Sequence, residues 1–96
     1  MADEIDALQR WYDSQCDGDW EHTYGVKIGT LDNPGWFVEI DVAETELAKR
    51  PFARIEDLGP ERDWLVCEVV DERFRGHGGP AMLARILQTF LTWAGA

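Results

Sequence analysis

Apolar and polar positions alternate with two different periods along this chain, and the switches between them outline its elements. Over residues 4–15 the period is helical: Ile5, Leu8, Trp11 and Tyr12 recur at three- and four-residue spacing and share one face. Asp3 stands where an N-cap belongs and Asp6 falls in the first turn, both suited to the positive end of a helix dipole. Gly18 ends this run. The period then drops to two. Tyr24, Val26 and Ile28 alternate with Thr23, Gly25 and Lys27, and Trp36, Val38, Ile40 and Val42 alternate with Phe37, Glu39 and Asp41. Between them lies Asp32-Asn33-Pro34-Gly35, which reads as a type II turn with Gly35 supplying a positive φ. A β-hairpin is expected here.

Residues 43–50 lack strand alternation and read as a short helical crossover or a polar loop. Residues 52–58 read as a short strand, broken by Gly59-Pro60. Residues 64–71 are apolar on both faces, with Trp64, Val66 and Val70 on one and Leu65, Cys67 and Val69 on the other. That pattern predicts a central strand. Residues 73–79 read as a basic, glycine-rich connector, and Pro80 as the first residue of a last helix. Its apolar stripe is Met82, Leu83, Ile86, Leu87, Phe90, Trp93 and Ala94. The expected fold is α+β: an antiparallel sheet of about four strands with an N-terminal and a C-terminal helix packed against it, in one domain over residues 1–96.

Composition narrows the function. The chain has 96 residues, 45% of them hydrophobic and five of them Trp, which supports one modest core and argues against disorder. That is too little chain for a core plus a roomy cofactor pocket, so no cofactor is expected. The opening Met1-Ala2-Asp3-Glu4 is acidic, and no run reaches the roughly 18 apolar residues a membrane span needs. A cytoplasmic protein with reduced thiols and no membrane partner is expected. Charge is the sharper clue. Nineteen acidic residues against nine Lys and Arg leave a net −10, which disfavours nucleic acid and favours a basic partner. The excess is also localised. Residues 1–48 hold twelve acidic and two basic residues, whereas residues 49–96 hold seven of each.

The acids are densest at Asp13, Asp17, Asp19 and Glu21, next to His22. Oxygen donors at such spacing suit Mg²⁺ or Ca²⁺. Asp13, Asp17 and Gly18 match a calcium loop, but Tyr24 stands where its bidentate Glu belongs, so a solvated acidic turn is the simpler reading. Cys16 with His22, or Cys67 with His77, would need fold geometry to form a nucleophile pair, and two buried, inert thiols are the simpler reading. Gly76-His77-Gly78-Gly79-Pro80 has the look of an anion-cradling loop before a helix, but no Lys-Ser or Lys-Thr follows it. A flexible turn that lets the helix dock accounts for it. Trp20 falls outside both periodic patterns among carboxylates, which is the composition of an interface anchor against a basic partner. The alternative is that it covers the open end of the sheet.

Longer blocks carry a resemblance. Leu8-Gln9-Arg10-Trp11-Tyr12, Ser14-Gln15-Cys16-Asp17-Gly18-Asp19-Trp20-Glu21-His22, Tyr24-Gly25-Val26-Lys27-Ile28 and Thr30-Leu31-Asp32-Asn33-Pro34-Gly35-Trp36 are similar to the immunity protein 53 family of bacterial polymorphic-toxin systems. Phe74-Arg75-Gly76, Gly79-Pro80 and Phe90-Leu91-Thr92-Trp93 extend the similarity across nearly the whole chain, with a loose match over residues 43–62. The resemblance implies a non-enzymatic inhibitor that binds a cognate toxin domain. An acidic half suits a toxin with a basic cleft, such as a nuclease. On this reading Asp13, Asp17, Asp19 and Glu21 supply the charged contacts and Trp20 the anchor. Glu39 and Asp41, on the alternation that leaves the core, come second. Charge reversal at Asp17 and Asp19 is expected to weaken toxin binding and leave folding intact. The rival readings are a small metal-dependent hydrolase built on the acidic cluster, and a general protein-interaction module. The sequence leaves the strand order and oligomeric state open.

Overall fold

A computed structural model describes residues 3–59 and 62–96, so Pro60, the expected breaker, lies outside it. Helix α1 (Glu4–Gln15) begins as its sequence predicts, with the Asp3 carboxylate accepting the Asp6 N–H at 2.8 Å. A single turn, α2 (Trp20–Thr23), leads into β1 (Val26–Leu31) and β2 (Gly35–Asp41). Residues 42–49 form successive turns, then come β3 (Ile55–Asp57), β4 (Leu65–Val70), β5 (Arg73–Gly78) and α3 (Leu83–Ala94). The five strands make one antiparallel sheet in the order β1-β2-β5-β4-β3.

The central strand is β5, the segment that reads as a connector. Its glycines explain both the misreading and the placement. Gly76 and Gly78 face α3, and a Cβ on Gly76 would occupy the space of the Ile86 side chain. The bare backbone lets the last helix lie close against the middle of the sheet. The β4–β5 connection is a two-residue turn, Asp71-Glu72, with φ of 53° and 59°. That is the backbone of a type I′ hairpin, normally announced by Asn-Gly, and here built from residues that give no such signal. Strand β4 is interior but lies beside the edge.

Two further expectations change. Gly35 has no positive φ; it is the first residue of β2, opposite Leu31, and the Asn33–Pro34 peptide is cis. A Cβ on Gly35 would strike the Gly78 carbonyl oxygen, so close approach of β5 explains the glycine. Pro80 precedes α3 by a turn, and its carbonyl accepts the Trp36 indole N–H at 2.9 Å.

Both long helices cover one face of the sheet. Val38, Ile40, Leu65, Cys67 and Phe74 meet Ile86, Leu87, Phe90 and Leu91 of α3 and Leu8 and Trp11 of α1. The opposite face carries Lys27, Glu39, Asp41, Glu68, Arg73 and Arg75, as the pairing register requires. Among the described residues, no helix is long and apolar enough to cross a membrane.

Candidate interaction surface

The acidic turn after α1 is built by its own carboxylates. Asp17 Oδ1 accepts the N–H groups of Asp19 (2.9 Å) and Trp20 (3.0 Å), capping α2. Glu21 reaches back: Oε1 accepts the Asp17 N–H at 3.0 Å and Oε2 the Gly18 N–H at 2.9 Å. This is the reciprocal logic of a capping box. Gly18 sits at φ 97°, a conformation that favours glycine. Backbone N–H groups stabilise the ionised forms, those of Trp20 and Asp19 at Asp17 and chiefly Glu21's own, then those of Asp17 and Gly18, at Glu21, so both carboxyls titrate below their ordinary range.

The sign for stability follows. A lowered folded-state pKa contributes stability that is complete above the ordinary values of 3.8 for Asp17 and 4.5 for Glu21. It is lost as pH falls through the lower folded values. Carboxyl-carbon NMR titration should give midpoints below those ordinary values for both residues. Midpoints at or above them would contradict the capping role.

Asp13 and Asp19 differ. Both are exposed, and among the described residues neither side chain makes a hydrogen bond or an ion pair. They are the free charges of the cluster. Glu39 and Asp41 leave the core as expected but meet cations on β5. Asp41 lies 2.9 Å from Arg73 and also accepts the Gly25 N–H, and Glu39 lies 3.9 Å from Arg75. Their charge is largely balanced in place.

Trp20 has two readings from sequence, an interface anchor or a ring that covers the open end of the sheet, and a ring that is 5% exposed does not suit the anchor. Its indole N–H donates to the Ala43 carbonyl at 2.9 Å. It packs edge-on to Trp11, which meets Phe90, which meets Phe74. The acidic turn is thereby fastened to the core through an aromatic chain. Trp20 fits the alternative of a ring that covers the end of the fold.

Among the described residues, no group of three or more His, Cys, Asp and Glu side chains is placed to hold a metal ion. Asp17 and Glu21 direct their oxygens at backbone N–H groups. Cys67 is fully buried, and burial pushes its thiol up to about 11. It pairs in register with Gly76, so His77 on the next position faces the other side of the sheet. The Cys16 thiol donates to the Tyr12 carbonyl at 3.3 Å. Both cysteines are free.

The sequence reading misses a groove beside the acidic turn. Leu8, Gln9 and Tyr12 of α1 form one wall and Gly25 and Val26 the other, enclosing about 360 Å³. Tyr12 in its wall is 37% exposed, and Ile5 on α1 and Ile28 on β1 are 49% and 40% exposed. The periodicity shows these as core residues. The strand order, which leaves β1 at an edge of the sheet, is what exposes Ile28.

A family model described as Immunity protein 53 matches residues 5–95. No curated protein and no solved structure gives a significant match.

Proposed function

The chain belongs to the immunity protein 53 family, and from that premise we propose that it neutralises a cognate toxin domain by direct contact through the acidic surface of its first half. Immunity proteins are typically inhibitors and not enzymes. The observation that carries the mechanism is the pair of unpartnered carboxylates, Asp13 in the last turn of α1 and Asp19 on the turn after it, which Trp20 fastens to the core. A rigid acidic surface steers a basic partner into encounter and loses little entropy on docking. Asp17 and Glu21 hold the turn in shape and add to its field. Glu39 and Asp41, already paired with arginines, contribute less. Trp20 positions the turn and does not reach the partner. The partner is basic on this reading, a nuclease being the natural case, and the encounter takes place in the cytoplasm of the producing cell.

The test separates steering from folding. Reversal at Asp17 would remove a helix cap, so Asp13→Lys with Asp19→Lys is the cleaner probe. In stopped-flow mixing with the cognate toxin domain, the double variant should associate roughly tenfold more slowly at low salt. The difference should shrink at high salt, and the melting temperature should not change. An unchanged association rate at low salt would remove these residues from the interface.

A further inference from the structure

The two edges of the sheet are finished differently. Strand β3 is three residues long, carries Glu56 and Asp57, and is tied by Arg54 to Glu56 and Glu68. Short length and charge are how natural sheets block further pairing. Strand β1 is less protected. It runs six residues, and its one charged residue, Lys27, faces the side of the sheet away from the helices.

The hydrogen-bond phase of β1 is fixed by one contact. The Asp41 N–H donates to the Gly25 carbonyl at 3.0 Å, which makes Gly25 and Asp41 a hydrogen-bonded pair. In an antiparallel ladder such pairs alternate, so Lys27, Gly29 and Leu31 bond inward to β2. Val26, Ile28 and Thr30 therefore direct their N–H and C=O groups outward from the free edge. The same three residues place their side chains on the helix-covered face of the sheet, where Val26 lines the groove against α1. Free backbone runs along the strand, and the groove opens beside its first residue, Val26.

We propose that β1 and the α1–β1 groove receive an extended, cationic segment of the toxin, which adds to the sheet as a sixth strand and places alternate apolar side chains in the groove. This inference rests on the immunity reading above and names where that contact is made. Strand addition draws affinity from main-chain hydrogen bonds and specificity from pockets for alternate side chains, and both parts are present here. Charge selects the occupant. The elements around the groove, α1, α2, β1 and β2, lie in the half of the chain that holds the whole −10. A second copy of this chain would bring the same charge to the same edge, whereas a basic segment is attracted. Asp13 follows Tyr12 of the groove wall, and exposed Asp32 follows the last residue of β1 at the far end of the strand. Cations flanking an apolar centre would meet both.

The test uses the purified full chain and its cognate toxin domain, identified by pull-down from the producing strain. In hydrogen–deuterium exchange followed by NMR, the amides of Ile28 and Thr30 should exchange fast in the free chain while those of Lys27 and Gly29 are protected. In the complex the Ile28 and Thr30 amides should become protected as well. Ile28→Arg should raise Kd by roughly thirtyfold, the range of an interface hot spot. Thr30→Pro, which removes an outward N–H and no ladder bond, should weaken binding in the same direction. Val70→Arg, an equally exposed apolar site on the far face, should change Kd less than about threefold and serves as the control. Tight binding with the β1 amides still exchanging fast would overturn the docking site and leave the immunity reading standing. Failure of the unaltered chain to bind the domain would overturn both.

Discussion

Trp20→Ala should destabilise the protein by about 4 kcal/mol, the cost of emptying a buried indole site, and lower its melting temperature by about 20 °C. The loss has three sources. The ring is 5% exposed, so most of its apolar surface returns to water on unfolding. It is one link in the contact chain through Trp11 and Phe90, whose centroids lie 6.1 and 4.9 Å apart in successive pairs. Its N–H satisfies the Ala43 carbonyl at 2.9 Å, which loses that partner in the variant. Trp20→Phe keeps the ring contacts and gives up the hydrogen bond, so it should cost about 1–2 kcal/mol. An interface anchor would behave oppositely: its removal would weaken binding and leave melting unchanged. Thermal melts of the free chain decide between these roles.

The second large effect falls on the middle of the sheet. Gly76→Val should cost about 3 kcal/mol, at the upper end of overpacking. The new Cβ would overlap the Ile86 side chain and stand 3.3 Å from the Phe74 ring. Ile86 is fully buried on α3 and has no free space to retreat into, so the helix must lift from β5. Gly25→Ala is the contrast. A Cβ there meets nothing within 4 Å, and its effect on stability should stay within about 0.5 kcal/mol. Chemical denaturation of the two variants against the unaltered chain measures the difference. Equal midpoints would mean that the glycines of β5 are conformational and not spatial in purpose.

These glycines also show what the sequence makes legible and what it hides. Where a local pattern decides structure, the reading matches the molecule: α1 has the expected bounds and its Asp3 cap, and the strands around residues 26–41 pair as a hairpin. The α+β class follows from those elements. Strand β5 is hidden because its core-facing positions are Phe74, Gly76 and Gly78, which carry no alternating apolar signal. The partner's side chains fill the space, and a partner distant in sequence leaves no local mark. The turn before it is hidden too, since Asp71 and Glu72 adopt positive φ without the Asn or Gly that ordinarily reveals it.

The surface divides the same way. That Asp13, Asp17, Asp19 and Glu21 cluster is plain from their spacing. Which of them is free is decided by hydrogen bonds: two carboxylates hold the turn and two face solvent. Glu39 and Asp41 alternate outward as read, but their arginine partners come from β5, about thirty residues away. The groove depends on strand order, because Val26 and Ile28 count as core residues until β1 proves to be an edge.

The central claim is that this chain silences a toxin by occupying it. The most direct measurement titrates the purified chain into its cognate toxin domain, following the toxin's own activity against added chain. The account predicts that activity falls to background once a stoichiometric amount has been added, and that the Asp13→Lys, Asp19→Lys variant reaches the same background more slowly at low salt. Full toxin activity in the presence of saturating chain would contradict it.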